Sequence, residues 1–290
     1  MVQYKLVSVI LPLYNAEKYI AEAVKSVLEQ SYENLELIVI DDGSTDNSKK
    51  IMDSFVDTRI RFISRENKGL ISTLNELIGL ARGDIIARMD ADDICLPNRI
   101  KEQLDILETG IDIVGSDAII IDEDGKEKGL LAYPHSYEDI ISHIPFNSPM
   151  IHPSVIGKKK VFSQLYDSEY IHAEDYGLWV KSIFSEGYKV ENLAKPLIKY
   201  RVHSSSISRS NVKNQIMMGT KIRKDGIDKN NVNTHFGRCH GFIYHGLESN
   251  MLDIVFGGLN YIFNRPSKYR ILIYIRVLLL HFKNRFGFIN

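Results

Sequence analysis

Three of the four residues in Asp90-Ala91-Asp92-Asp93 are carboxylates, and they follow a short apolar run, residues 84–89, that reads as a strand. Carboxylates at this spacing on a strand end can hold a hard divalent cation, Mn2+ or Mg2+, through one direct ligand, with water and phosphate oxygens in the remaining positions. A cation held in that way can span a diphosphate. Taken alone, an acidic turn is more often a solvated loop, so the surroundings of the cluster decide what it means. A second acidic run, Asp41-Asp42-Gly43-Ser44, ends another apolar stretch, residues 35–40. Two such clusters around one crevice repel unless a cation or hydrogen-bond donors stand between them. Local chemistry also accounts for Asp41 and Asp42 as a turn and helix-capping pair. A third pair, Glu174-Asp175, opens a helical pattern, where negative side chains pair favourably with the helix dipole.

The elements that must position these residues alternate in type. Residues 6–13 are apolar and rich in β-branched side chains, as in a strand buried on both faces. A helix over 16–30 follows, with Ile20, Val24, Val27 and Leu28 at helical spacing. Strands are expected at 35–40, 60–64 and 84–89, and helices at 46–55, capped by Ser44 or Thr45, and at 69–81. This alternation implies right-handed crossovers and a mostly parallel sheet with helices on its faces, in which ligands bind beyond the carboxyl ends of the strands. After Pro97 come a helix with Ile100, Leu104 and Leu107 on one face, a strand over 111–121 and a hairpin turn at 122–126. Residues 145–153 read as loop, 174–186 as helix, and 189–193 and 197–202 as two short strands. No internal repeat or low-complexity tract interrupts the pattern.

With 290 residues, 44% of them apolar and 25% charged, the chain can bury a substantial core. Its formal net charge of -1 provides no global field toward nucleic acid, so none is expected as a partner. Cys95 and Cys239 have neither disulfide nor metal-ligand spacing, which fits a reducing cytoplasm. The N-terminal apolar run lacks the cleavage pattern of a signal peptide. After Asp253 there is no acidic residue, whereas Arg265, Lys268, Arg270, Arg276, Lys283 and Arg285 accumulate among aromatic and aliphatic side chains. Its apolar stretch, residues 271–280, is interrupted by Arg276 and too short to span a bilayer; the segment suits either an anionic membrane surface or packing on the domain or on a second subunit.

The runs VSVILPLYNAEKYIAEAVKSVLEQSYENLELIVIDDGSTDNS, NKGLISTLN and GDIIARMDADDICLPNRI, followed by HPSV, AEDYGLW and YRVHSSSIS, together resemble the inverting glycosyltransferases of family 2, which have the GT-A fold. The resemblance covers roughly residues 7–208 and implies a GT-A domain over 1–208, with a mainly helical, basic and amphipathic extension over 209–290. It implies a nucleotide-sugar donor, a UDP-sugar in the first place, and an acceptor hydroxyl on a glycan or lipid-linked saccharide. By position, Pro12, Tyr14 and Asn15 would border the nucleoside pocket and Asp41 would reach the base; an aromatic ring offers a stacking face and a carboxylate accepts an imide N–H. Asp90 would approach the ribose, with Arg88 and Ala91 beside it in the nucleotide-sugar site. Asp92 would ligate Mn2+ or Mg2+, with His203 at the metal or diphosphate. Asp175 would be the general base, with Glu174 as the lesser choice. The implied reaction is a single displacement, in which proton removal is concerted with attack because an alcohol's own pKa is far above neutral.

Other residues carry weaker signals. Arg88, Arg99 and Lys68 could neutralise phosphate charge or form solvated ion pairs. His152 belongs to a loop expected on the acceptor side, and Trp179 reads as core or pocket wall. Two rival enzyme classes, sugar-1-phosphate nucleotidyltransferases and dinucleotide oxidoreductases, need a Gly-rich turn after strand one, where this chain has Pro12-Leu13-Tyr14-Asn15. A nucleotide-sugar-binding assembly protein without catalysis is the reading from a different class, and donor hydrolysis with Mn2+ separates it from an enzyme.

Overall fold

All seven residues of β1 (Val7–Leu13) are buried, because the strand is central and has helices on both faces. The computed structural model describes residues 5–144, 147–203 and 211–228. On one side of β1 lie β2 (Leu35–Asp42) and then β3 (Ile60–Arg65), and on the other lies β4 (Ile85–Arg88), all in parallel pairing. Strand order therefore reverses at β1, and the crevice between the carboxyl ends of β1 and β4 is the topological switch point of the sheet. Helices α1 (Ile20–Leu28), α2 (Ser48–Asp53) and α3 (Leu70–Leu80) make the crossovers. Their apolar stripes feed two cores, one on each face: Ile10, Ile38 and Leu74 belong to the first, and Val9, Val24 and Leu37 to the second.

Beyond β4 the sheet is mixed. Its full order is β3-β2-β1-β4-β8-β6-β9-β5, with β7 on β6. Here β5 is Ile94–Cys95, β6 is Ile113–Ile121, β7 is Glu127–Leu131, β8 is Ile156–Lys158 and β9 is Val190–Arg201. Both β8 and β7 pair with the same long β6, β8 at its start and β7 at its end. The gap between them receives the segment that leads into β8. Around this half pack α4 (Arg99–Glu108), α5 (Tyr137–His143), α6 (Lys159–Phe162) and α7 (Glu174–Val180), which continues as a π-helical turn, Lys181–Ser185. Helix α8 (Val212–Ile222) packs on α7.

Several local expectations change. The two strands read at 189–193 and 197–202 are one strand, β9, whose register shifts opposite Asp117 make the break that the sequence shows around Lys195 and Pro196. The short β5, α5, α6 and β8 lie where sequence periodicity is weak. Neither Ser44 nor Thr45 caps α2: Asn47 is at the N-cap position, and Asp46 Oδ1 accepts the Ser48 N–H at 2.9 Å. The basic, aromatic-rich segment after Asp253, Cys239 and the serines after His203 lie outside the described residues.

Candidate active site

One wall of the crevice at the switch point is made by two loops laced to each other. Asn15, in the left-handed region at φ 49°, follows β1; its N–H donates to Ser44 Oγ at 2.9 Å, and its Oδ1 accepts the Thr45 N–H at 2.8 Å. Glu17 and Asp46 bind each other's loops in the same reciprocal way, through the Asn47 and Glu17 N–H groups. The β2 end must turn sharply to meet this loop. Gly43 does so at φ 78°, where a Cβ would stand 2.8 Å from the Asn67 nitrogen. Tyr14 projects from this wall into the cleft, 54% exposed.

The acidic pair at the β2 end divides its roles. Asp41 is buried and does not line the cleft; it accepts from the Ser44 N–H at 3.0 Å and from the Ser64 hydroxyl at 2.9 Å. Asp42 does line the cleft. It is ion-paired with Arg65 and accepts the N–H groups of Lys68 and Gly69 at 2.8 and 2.9 Å, so it anchors the start of α3 and not that of α2.

Across the switch point, the turn after β4 brings carboxylate oxygens of Asp90, Asp92 and Asp93 within 4.8 Å of one another. Arg88, buried, is ion-paired with Asp90. His203 Nε2 lies 2.9 Å from Asp92 Oδ2. Asp93 Oδ1 accepts the Arg201 N–H at 2.8 Å, while its buried Oδ2 has no hydrogen-bond partner. Burial pushes the Asp90 carboxyl up; Asp92 adds to that push and Arg88 opposes it. Asp93 is pushed well up by burial and then by its two acidic neighbours. A hard donor set with an orphaned buried oxygen and incomplete charge compensation fits a divalent cation.

The opposite wall carries Glu174 and Asp175 on the first turn of α7. Asp175 Oδ2 accepts the Ser148 hydroxyl at 3.0 Å, and burial pushes its carboxyl up, opposed by its hydrogen bonds to the Tyr176 N–H and Ser148. Glu174, more deeply buried, is pushed up to about 7 by burial and then by the Asp175 charge. Beside them His152 Nε2 lies 2.8 Å from the Tyr166 hydroxyl; burial, aided by Arg88, holds the imidazole well below its ordinary range and hence neutral at physiological pH. Trp179 is fully buried under this pair, edge-on to His152 at 6.1 Å. Arg99 is also fully buried and donates to the carbonyls of Arg88 and Val155, so it braces the β4 end from beneath and has no access to phosphate.

One cleft of about 1250 Å3 joins these walls. Among the residues singled out in the sequence, Pro12, Tyr14, Asn15, Arg88, Asp90, Ala91, Asp92, Glu174, Asp175 and His203 line it, and Asp41 stands behind it. Its volume exceeds the roughly 300–1000 Å3 of a single small-molecule pocket, which leaves room for two reactants. Ser148, Tyr19 and Arg201 also line it and were not singled out. Arg201 and Tyr19 fall inside the runs YRVHSSSIS and VSVILPLYNAEKYI, whereas Ser148 lies in a loop with no periodic signal.

A parallel half-sheet with an acidic turn at its switch point, joined to a mixed half-sheet that carries a second acidic wall, defines a GT-A fold. Residues 8–166 match the family model described as glycosyl transferase family 2, and the chain belongs to that family. An uncharacterized glycosyltransferase of Haemophilus influenzae is 36% identical over 240 residues, 77% of this chain and 73% of that one. WfaP of Escherichia coli, a UDP-Glc:alpha-D-GlcNAc-diphosphoundecaprenol beta-1,3-glucosyltransferase, is 30% identical over 226 residues, 77% of this chain and 88% of that one. The mannosyltransferase PcManGT from Pyrobaculum calidifontis, solved with GDP-Man and Mn2+, superposes with a TM-score of 0.60 at 17% identity, covering 99% of this chain and 88% of that one, and so shares the fold.

Proposed function

We propose that the protein transfers a sugar from a nucleoside diphosphate donor, a UDP-sugar in the first place, to a hydroxyl of a saccharide or lipid-linked saccharide, with inversion at the anomeric carbon. The observation that carries this reading is the single cleft shared by the exposed Tyr14 ring, the Asp90 and Asp92 carboxylates, with Asp93 grouped behind them, and, on the far wall, Asp175. Tyr14 stacks on the base, with Pro12 and Asn15 shaping its pocket. Asp41, held behind the cleft wall by Ser44 and Ser64, is the carboxylate that would accept from the base, and Asp42 lines the cleft in front of it.

Asp92, with Asp90, Asp93 and His203 beside it, would hold Mn2+ or Mg2+. Such a cation, when bound, compensates the charge of the diphosphate. Arg88 adds fixed positive charge at the same end. Asp175 takes the proton of the acceptor hydroxyl as its oxygen bonds to the anomeric carbon, and the bond from that carbon to the diphosphate oxygen breaks with its electron pair leaving on the nucleotide. Ser148 holds one oxygen of Asp175 and so aims the other. Glu174, on the same turn of α7, is the lesser choice for that base.

That relatives include an O-antigen biosynthesis glycosyltransferase and a glucosyltransferase acting on a diphosphoundecaprenol-linked sugar supports a role in polysaccharide assembly, for which a cytoplasmic location is part of this proposal. In this reading the basic residues after Asp253 contact an anionic membrane face or a second copy of the chain; among the described residues no helix is long and apolar enough to cross a membrane. The deciding experiment incubates the protein with UDP-, GDP- and TDP-sugars and Mn2+ and measures donor turnover. Turnover abolished by chelation and lowered by orders of magnitude in Asp92→Ala is expected; turnover indifferent to both removes the cation from the reading.

A further inference from the structure

Asp92 is gripped twice, and only one grip is a side-chain contact. Arg201, buried at the end of β9, donates from Nε to the Asp92 carbonyl at 2.8 Å, while its own N–H binds Asp93. Its Nη1 reaches the carbonyls of Asp122 and Glu123 in the β6–β7 turn, at 3.1 and 3.2 Å, and its Nη2 reaches Glu22 of α1 at 2.7 Å. Tyr19 stands between Arg201 and His203. The guanidinium carbon lies 4.5 Å from its ring centroid, and the imidazole centroid lies 5.3 Å away with the rings inclined by 33°. The contacts thus close a circle from Asp92 to His203, Tyr19, Arg201 and back to Asp92. A planar guanidinium can stack on a ring while its donors reach fixed directions, which an ammonium cannot do. Tyr19 also belongs to the segment that follows β1 and carries Tyr14 and Asn15, so the circle ties the nucleoside wall to the acidic turn.

We infer that Tyr19 and Arg201 are positioning residues of the cation site, holding Asp92 and His203 in one ligating arrangement. Three adjacent carboxylates repel, and without external bracing the turn would relax outward and bind a cation more weakly. Loss of outer partners of metal ligands typically weakens affinity about 10- to 100-fold. This inference rests on the cation reading above, and its test separates the two.

Mn2+ alone is titrated into the full chain, free Mn2+ is read by electron paramagnetic resonance, and folding of each variant is checked by circular dichroism. Relative to wild type, Arg201→Lys and Tyr19→Leu should bind Mn2+ at least about tenfold more weakly while remaining folded, and Tyr19→Phe, which keeps the ring, should restore affinity to within about threefold. Should Arg201→Lys fail to fold, the Tyr19 pair decides. Folded Tyr19→Leu with wild-type affinity, alongside an Asp92→Ala variant that has lost Mn2+, overturns the positioning role and leaves the cation reading standing. A wild-type chain that takes up no Mn2+, or an Asp92→Ala variant that binds it normally, overturns both.

Discussion

At the scale of the residue, the two acids of α7 differ by environment more than by chemistry. Asp175 keeps a hydroxyl donor in Ser148, which favours its ionised form. Removing that donor should raise the Asp175 pKa, so in Ser148→Ala the acid limb of the kcat profile moves to higher pH, whereas Ser148→Thr leaves it near wild type. A limb that stays in place would mean that some other group is the base. Asp175→Asn, which keeps shape but not basicity, should lose about 100-fold or more in kcat in a steady-state transfer assay. Glu174 is linked to stability with the opposite sign from an ordinary paired carboxylate. Its pKa rises from 4.5 to about 7 on folding, so the folded state binds the extra proton, and stability is lost as pH climbs from the lower value through the higher. Glu174→Gln should therefore match wild type in acid and exceed it above about pH 8, by up to about 3 kcal/mol in denaturant unfolding.

At the scale of the element, the site depends on how strand ends turn. Gly43 adopts φ 78° with no room for a Cβ against Asn67. Gly43→Ala should destabilise the fold by about 1–2 kcal/mol and raise the donor KM more than it lowers kcat, because the nucleoside wall shifts and the α7 wall does not. Equal loss in both constants would show that the two walls are not independent. Much at this scale was legible in the chain. The runs that became β1 to β4 carry apolar, β-branched side chains of the right length, and Ile100, Leu104 and Leu107 repeat at helical spacing and are buried. The pieces between residues 132 and 173 were not legible, since β8 has three residues and α6 has four, too few for any period to show.

At the scale of the whole molecule, the cleft joins walls from distant parts of the chain, so a ligand that spans it should stabilise the fold as a unit. UDP and Mn2+ together should raise Tm in a thermal shift assay more than the sum of either alone, with about 2.7 kcal/mol expected at a hundredfold excess over Kd; additive shifts would place nucleotide and cation in separate sites. Family, architecture and the presence of acidic turns at strand ends follow from the order of residues alone, because apolar periodicity and motif spacing are local properties of a chain. That Asp41 turns inward to Ser64 while Asp42 faces the cleft, that Ser148 meets Asp175, and that Arg201 and Tyr19 close around Asp92 were settled only by folding. Those contacts join residues as many as 179 positions apart, Arg201 and Glu22 among them, and no local pattern encodes which side chains a sheet will bring face to face.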